Sequence, residues 1–368
     1  MSTIKANAIL DASGGNTVTI NSVTPTAYNT MGKNRIINGD MRIWQRATSV
    51  TGSTGYSTVD RWDIPGSTSS LNVDQSSDVP AGFSYSTKIT VGTASSASSA
   101  YAYILQHIEG YNWADVGYGT ANAKTTTLSF WVKSSVTGTF GLAFRNTGTA
   151  RFYTTTYEIS SANTWEYKTI TITGDTSGTW NTTNGVGFSV FWDLGIGSTY
   201  SSTSNNAWTT VGSNYFGVSG TTKLASTSGA TFYITGVQLE AGSVATEFER
   251  RLYGIELQLC QRYYYRVESA TNGNGQFFMG MNYDSSTFYG ILPLPVPMRA
   301  NPTLTTGGTF RVNWPGGGGT TTSSPTMNQV LPTSAWMQAG VSGGRVGVAD
   351  LCSGNNDTST YLGCSAEL

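Results

Sequence analysis

Between Asn34 and Ala245 apolar side chains recur at every second position, in short runs separated by Gly, Asn and Asp. In Thr127-Leu128-Ser129-Phe130-Trp131-Val132-Lys133, the residues Leu128, Phe130 and Val132 share one face. Phe140, Leu142 and Phe144 repeat the pattern after a turn at Thr137-Gly138. Ala102, Ile104 and Ile108 share a parity ahead of Glu109-Gly110, as do Phe188, Val190 and Trp192. Thr169-Ile170-Thr171-Ile172-Thr173 ends at the turn signal Gly174-Asp175. A period of two belongs to a pleated strand with one buried face, and several such strands bury those faces by stacking as two layers. Thr231 to Leu239 switches apolar parity at Thr235-Gly236, which one inserted residue, a β-bulge, would produce. The pattern reads as an all-β chain built on an antiparallel β-sandwich.

Composition agrees and removes other classes. The chain's 43 Ser, 56 Thr and 44 Gly fill 143 of 368 positions, while 12% of residues are aromatic and 11% charged. A disordered chain lacks such rings, and a helical bundle needs the Ala, Leu, Glu and Lys that are scarce here. Twenty Lys and Arg against 21 Asp and Glu leave no basic excess with which to displace counterions, so no nucleic acid is expected as a partner. No run reaches the roughly 18 consecutive apolar residues of a membrane span, so no membrane insertion is expected. The start Met1-Ser2-Thr3-Ile4-Lys5-Ala6-Asn7 has no apolar export signal. A surface-like composition without one suits a particle assembled in a cytoplasm and released by lysis. Cys260, Cys352 and Cys364 are too few and too spread for a disulfide framework and read as free thiols, although Cys352 and Cys364 could pair.

The length suggests two or three domains. Residues 1–33 hold one strand-like run, Asn16 to Asn21, which cannot fold alone and reads either as a disordered leader or as an element that orders against partner chains. Residues 34–245 form the sandwich, with a polar loop-rich stretch from Trp180 to Gly220 at one end. Residues 246–266 read as a helical connector. Thr246-Glu247-Phe248-Glu249 fits a capping box, Phe248, Leu252, Ile255 and Leu259 recur at helical spacing, and Gly254 restricts the firm helix to about Tyr253 to Gln261. Residues 267–368 read as a smaller C-terminal β domain. There Phe277 to Met281 and Phe288 to Leu292 form a strand pair, the alternate Pro293, Pro295 and Pro297 exclude a central strand, and Gly316 to Gly319 make a hairpin tip.

Catalytic equipment is sparse. The one histidine, His107, follows an apolar run and reads as a strand residue. Gly340-Val341-Ser342-Gly343-Gly344 matches a nucleophile elbow, but no helix and no later histidine accompany it. Glu109, Asp115, Glu158, Glu166, Asp175 and Asp193 could include a hydrolytic pair, yet their spacing selects none. Aromatic rings in polar loops are better placed, because sugar C–H faces stack on rings while Asn, Asp, Ser and Thr satisfy the hydroxyls. Trp180, Tyr200 and Trp208 sit in such sequence, and Trp192 ends a strand beside Asp193; these four are the glycan-binding candidates.

Three segments carry a family likeness: Asn34-Arg35-Ile36-Ile37-Asn38-Gly39-Asp40-Met41-Arg42-Ile43-Trp44-Gln45-Arg46 with Tyr56 to Trp62; Phe130-Trp131-Val132-Lys133; and Tyr233-Ile234-Thr235-Gly236-Val237-Gln238-Leu239-Glu240-Ala241-Gly242, followed by Thr246 to Arg251 and Leu259 to Tyr264. Over residues 34–266 the chain resembles bacteriophage tail-fibre proteins that carry a jelly-roll, carbohydrate-binding-module-like domain. The stretch from Pro295 to Pro302 extends the likeness into the tail, and the leader resembles fibre anchor regions. The resemblance implies a non-enzymatic adhesin: a homotrimeric virion tail appendage, attached to other tail proteins through residues 1–33 and binding host-surface polysaccharide. A depolymerase tailspike and a purely structural connector or head fibre are the alternatives. Arg46, Asp60 and Arg61 are placed to pair where the chain ends meet. In similar modules a structural calcium can sit between the opening segment and an acid on the closing strand; here that position reads Thr235-Gly236, which counts against the ion, and no cofactor is expected. Leu252, where relatives tend to carry proline, is a second departure.

Overall fold

The computed structural model describes residues 32–146, 151–203, 206–210, 216–269 and 272–368. The expected leader lies outside them except for Gly32 and Lys33. The chain divides into two compact units. One comprises residues up to Arg42, Thr48–Ser57 and Trp62–Arg251; the other comprises Ile43–Ala47, Thr58–Arg61 and Leu252–Leu368.

The first unit contains β1 (Ser49–Val50), β2 (Leu71–Ser76), β3 (Ser86–Val91), β4 (Tyr103–Glu109), β5 (Thr126–Ser134) and β6 (Gly138–Arg145). It continues with β7 (Arg151–Ile159), β8 (Glu166–Ile172), β9 (Val186–Asp193), β10 (Ser201–Ser202), β11 (Trp208–Thr210), β12 (Gly217–Val218) and β13 (Thr231–Ala241). Two sheets, ordered β1-β2-β3-β13-β5-β8 and β11-β7-β6-β9-β4, form an antiparallel jelly-roll β-sandwich. The alternating runs supply its core: Leu128, Phe130 and Val132 from β5, Phe140, Leu142 and Phe144 from β6, and Phe188, Val190 and Trp192 from β9 are all fully buried.

The parity switch in β13 is a bulge. Its register against β5 shifts between Thr235 and Gln238, and Gly236 takes a left-handed φ of +63°. Phe232 and Ile234 therefore point inward before the bulge, and Val237 and Leu239 after it. The opening segment occupies the ladder positions the bulge releases. Arg35 N donates to Leu239 O, Leu239 N to Asn34 Oδ1, and Val237 N to Gly39 O. Gly39 must be glycine, since a Cβ there would stand 2.1 Å from Val237 O.

After its two short early segments the second unit resumes at Leu252 with the α-helix α1 (Tyr253–Gln261), so the expected separate connector is part of this unit from Leu252 onward. The capping box does not form. Leu252 is the N-cap and makes no side-chain cap, Thr246 donates its N–H and hydroxyl to Glu240, and Glu249 accepts from Gly32 N and Asn34 N. The expected apolar face is also reversed: Leu252 and Ile255 are exposed, while Glu256 and Cys260 are buried. After α1 come β14 (Tyr264–Glu268), β15 (Gln276–Asn282), β16 (Thr287–Pro293), β17 (Thr303–Gly307) and β18 (Phe310–Asn313). The last five are β19 (Gly319–Thr322), β20 (Thr326–Leu331), β21 (Ser334–Gly340), β22 (Ala349–Gly354) and β23 (Tyr361–Ser365). They make a three-stranded sheet, β14-β23-β17, and a seven-stranded one, β19-β18-β22-β15-β16-β21-β20. Phe278, Phe288, Phe310, Met337 and Leu362 belong to the core of this unit. The expectation that these prolines exclude a central strand is corrected: β16 lies between β15 and β21 and ends on Pro293, which is paired with Ser334 of β21 but lies beyond the β15 pairing, so its missing N–H is tolerated there. All three cysteines are free and buried, and burial pushes the thiols of Cys352 and Cys364 up to about 12.

Candidate functional site

The four aromatic candidates fall into different environments. Trp192 is 0% exposed, packed between Trp62 and Phe130 at 5.6 Å from each. It shares the inward parity of Phe188 and Val190, and a ring in the sandwich core cannot meet a glycan. Trp180 is corrected likewise. It is 6% exposed, stacks on Phe188 and meets Tyr118 edge-on at 4.9 Å, with Nε1 donating to Ser177 O. The structure does bring Trp180 and Trp208 together, at 5.3 Å, in a ring cluster with Tyr118 that packs onto core residue Phe188. Trp208 is half-buried there and donates Nε1 to Thr173 O.

Tyr200 lies elsewhere, stacked on Phe216 with centroids 5.3 Å apart. Tyr101 and Tyr103 meet Phe216 edge-on, and Phe216 also packs on Phe191. These rings rest on Leu105, Ala143 and Phe191, which point away from the sandwich core on β4, β6 and β9. The guanidinium of Arg145 stands 5.9 Å from the Phe191 ring. Burial, with Asp63 nearby, raises the Tyr103 phenol above its ordinary range, so it stays a neutral donor. Tyr101, Tyr103, Tyr200 and Phe216 are each half-buried.

Two cavities open in the same unit. One, of about 540 Å³, is lined by hydroxyls such as Ser95, Ser98, Ser201 and Ser219, and its Lys223 is held by Asp193 Oδ2 and Val218 O. The other, of about 580 Å³, has Phe83, Trp131, Tyr167 and Phe248 in its walls, with Glu247 and Arg250 beside them. Sequence reading missed this second group, because its rings lie far apart in the chain and only strand pairing joins them.

Four of the six carboxylates weighed for hydrolysis are bound in ion pairs. Asp115 pairs with Arg35 at 2.6 Å, Asp175 with Arg151 through both oxygens, Glu166 with Lys168, and Asp193 with Lys223. Asp193 also accepts from the backbone N–H groups of Gly195, Ile196 and Val218; burial still lifts its carboxyl above the usual value against that pull. His107 shares a 2.7 Å hydrogen bond between Nδ1 and Ser189 Oγ on the paired strand. The Gly340-to-Gly344 segment is a turn leading from β21 toward β22, without a helix.

The residues do not fit a calcium ion at the junction of the opening and closing segments. Thr235 and Gly236 bring no carboxylate, and the nearby Glu240 already accepts from Gln238 Nε2 and from the Thr246 N–H and hydroxyl. The Lys33 ammonium also donates to Thr246 Oγ1, placing a cation in the same group. Among the described residues no three His, Cys, Asp or Glu side chains form a metal-binding group.

No family model matches the chain, and no curated protein matches it. Solved structures give distant fold likenesses. The enzymatically active domain of bacteriophage CBA120 tailspike protein 4 aligns at 15% identity and TM-score 0.31, over 57% of this chain and 21% of that one. The family 11 carbohydrate-binding module from Clostridium thermocellum, solved with a mixed-linked tetrasaccharide, gives 8% identity and TM-score 0.29 over 54% and 98%. The N-terminal cellulose-binding domain of Cellulomonas fimi β-1,4-glucanase C gives 13% and 0.29 over the same shares. At such TM-scores, what the chain binds must be argued from its own residues.

Proposed function

We propose that this chain is a bacteriophage tail-fibre adhesin, a homotrimeric virion component that binds host-surface glycans and does not cleave them. The observation that carries the glycan reading is the cluster of half-buried rings Tyr101, Tyr103, Tyr200 and Phe216 on the β11-β7-β6-β9-β4 sheet. Half-buried rings are fixed in orientation by packing and still offer flat apolar surface, while the tyrosine hydroxyls can bond to sugar hydroxyls. Asp115, Glu166, Asp175 and Asp193 are committed to Arg and Lys and Glu109 is buried, which leaves Glu158 alone of the six and favours binding over hydrolysis, since a glycosidase needs two carboxyl groups able to act on the sugar. Individually shallow contacts gain avidity when several copies are displayed together.

The test is binding of the full chain to host cells and to polysaccharide extracted from them, with Tyr200→Ala as comparison. The adhesin reading requires retention of the wild-type protein and at least tenfold weaker retention of the variant, with no new reducing ends in the polysaccharide. Release of reducing ends would establish the depolymerase instead. Absence of binding, with the chain located by electron microscopy at a connector or head position, would establish the structural alternative.

A further inference from the structure

We propose a second sugar site, specific for neutral pyranoses, in the aromatic cavity on the outer face of the β1-β2-β3-β13-β5-β8 sheet; it rests on the glycan reading above but uses different residues. The β13 bulge builds it. Gly236 has no side chain and a left-handed backbone, and a Cβ there would stand 2.7 Å from the Phe83 ring and 3.1 Å from the Trp131 ring. The missing side chain lets those two rings close over the bulge. On the neighbouring strands, register sets Trp131 opposite Tyr167, with centroids 5.2 Å apart, and Phe83 meets Phe248 edge-on at 5.2 Å. Tyr167 is 44% exposed despite this packing. The cavity, about 580 Å³, falls in the range of small-ligand sites, roughly 300–1,000 Å³.

Its charges define the ligand class. The Arg250 guanidinium lies 4.8 Å from the Phe83 centroid and 5.8 Å from that of Phe248, and among the described residues it has no carboxylate partner. The Glu247 carboxylate has no side-chain donor among the described residues either; only its backbone oxygen accepts, from Lys33 and Gln238. Such a cavity therefore holds a planar donor and a planar acceptor, each available for two hydrogen bonds, beside apolar ring faces. An acidic sugar would gain Arg250 but face Glu247, and a cationic ligand would meet the reverse. A neutral pyranose satisfies both, because vicinal hydroxyls donate to the carboxylate and accept from the guanidinium while its C–H face covers Tyr167 or Trp131.

The experiment titrates the full chain calorimetrically with maltohexaose, cellohexaose, xylohexaose and galactohexaose, and with hexagalacturonate as the acidic counterpart. Tyr167→Ala, Arg250→Ala and Tyr200→Ala are compared with wild type, and thermal midpoints confirm that each variant folds. The expected result is binding of at least one neutral oligosaccharide at two sites. Tyr167→Ala and Arg250→Ala each weaken one site at least tenfold and leave the site weakened by Tyr200→Ala intact. Neutral binding unchanged in both cavity variants would overturn this site while leaving the adhesin reading in place. Preference for hexagalacturonate at the site lost with Arg250→Ala would overturn the ligand class. No binding of any of the five would overturn the site, whereas the adhesin reading is judged separately, on host polysaccharide.

Discussion

Asp60 is fully buried, and its carboxylate accepts from the Gln45 backbone and side-chain amides with Arg46 3.6 Å away. Glu367 lies in the same cluster, bonded to Arg46 and Arg61, and both guanidinium groups lie over tyrosine rings, Arg46 on Tyr264 and Arg61 on Tyr263. Burial outweighs the pull of Arg46 and Gln45, and Glu367 adds to it, so the Asp60 carboxyl rises from 3.8 to about 7. A folded-state value above the unfolded one means that the native state holds the proton longer. The contribution of Asp60 is then fully present below about pH 4 and is lost as pH rises toward 7, by up to about 4 kcal/mol over the full shift. In thermal scans of the full chain from pH 4 to 8, this unit's midpoint should fall up to pH 7 and level off, and Asp60→Asn should flatten the decline. An unchanged slope in the variant would remove Asp60 as the cause. Trp192 offers a plainer test of its placement: Trp192→Ala should cost about 3–5 kcal/mol in urea unfolding, as a large core truncation does. A loss under about 1 kcal/mol would contradict its burial.

At the level of elements, α1 starts without a side-chain cap, at a Leu252 that is 79% exposed. Leu252→Asp would supply a side-chain acceptor for the first-turn N–H groups and a favourable charge at the helix start, while giving up little buried surface. It should raise the urea-derived stability of the full chain by about 1 kcal/mol; a decrease would mean that Leu252 is covered in solution. The helix also marks where sequence reading stopped. Strand faces were legible because alternation is local: Leu128, Phe130 and Val132 declare their side within seven residues, and the β13 bulge shows as a parity slip at Thr235-Gly236. The capping box failed because Thr246 and Glu249 take part in bonds with Lys33 and Asn34, more than 200 positions away, which no local window contains. The same limit applied to the candidate site. Trp192 stands at a strand end beside Asp193, but its own parity, shared with Phe188 and Val190, places it inward. Trp131 and Tyr167 went unnoticed because only the β5–β8 register makes them neighbours.

At the scale of the whole molecule, the low charge that counts against nucleic acid has a counterpart on the second unit. The outward face of its seven-stranded sheet carries Met279, Ile291 and Trp336 in one row across β15, β16 and β21, with Met281 and Tyr289 in the next. Tyr289 packs against Trp336 at 5.1 Å and Tyr283 at 5.7 Å. Neither Asp, Glu, Lys nor Arg occurs in β15, β16, β20 or β21. Met279, Met281, Tyr283, Ile291, Trp336 and Val346 are 40–70% exposed. Met, Trp and Tyr without charge are what the centre of a protein interface is made of, and a sugar would find few polar partners among Met279, Met281 and Ile291. The trimer proposed above would cover such a face, and a net charge of -1 gives little repulsion between copies. On that proposal the full chain should sediment as a trimer at about 10 µM, and Ile291→Glu, which puts a charge at the centre of the face, should shift it toward monomer with its thermal midpoint measured alongside. A monomeric wild type would exclude self-association, and a variant that stays trimeric would move the contact to another surface.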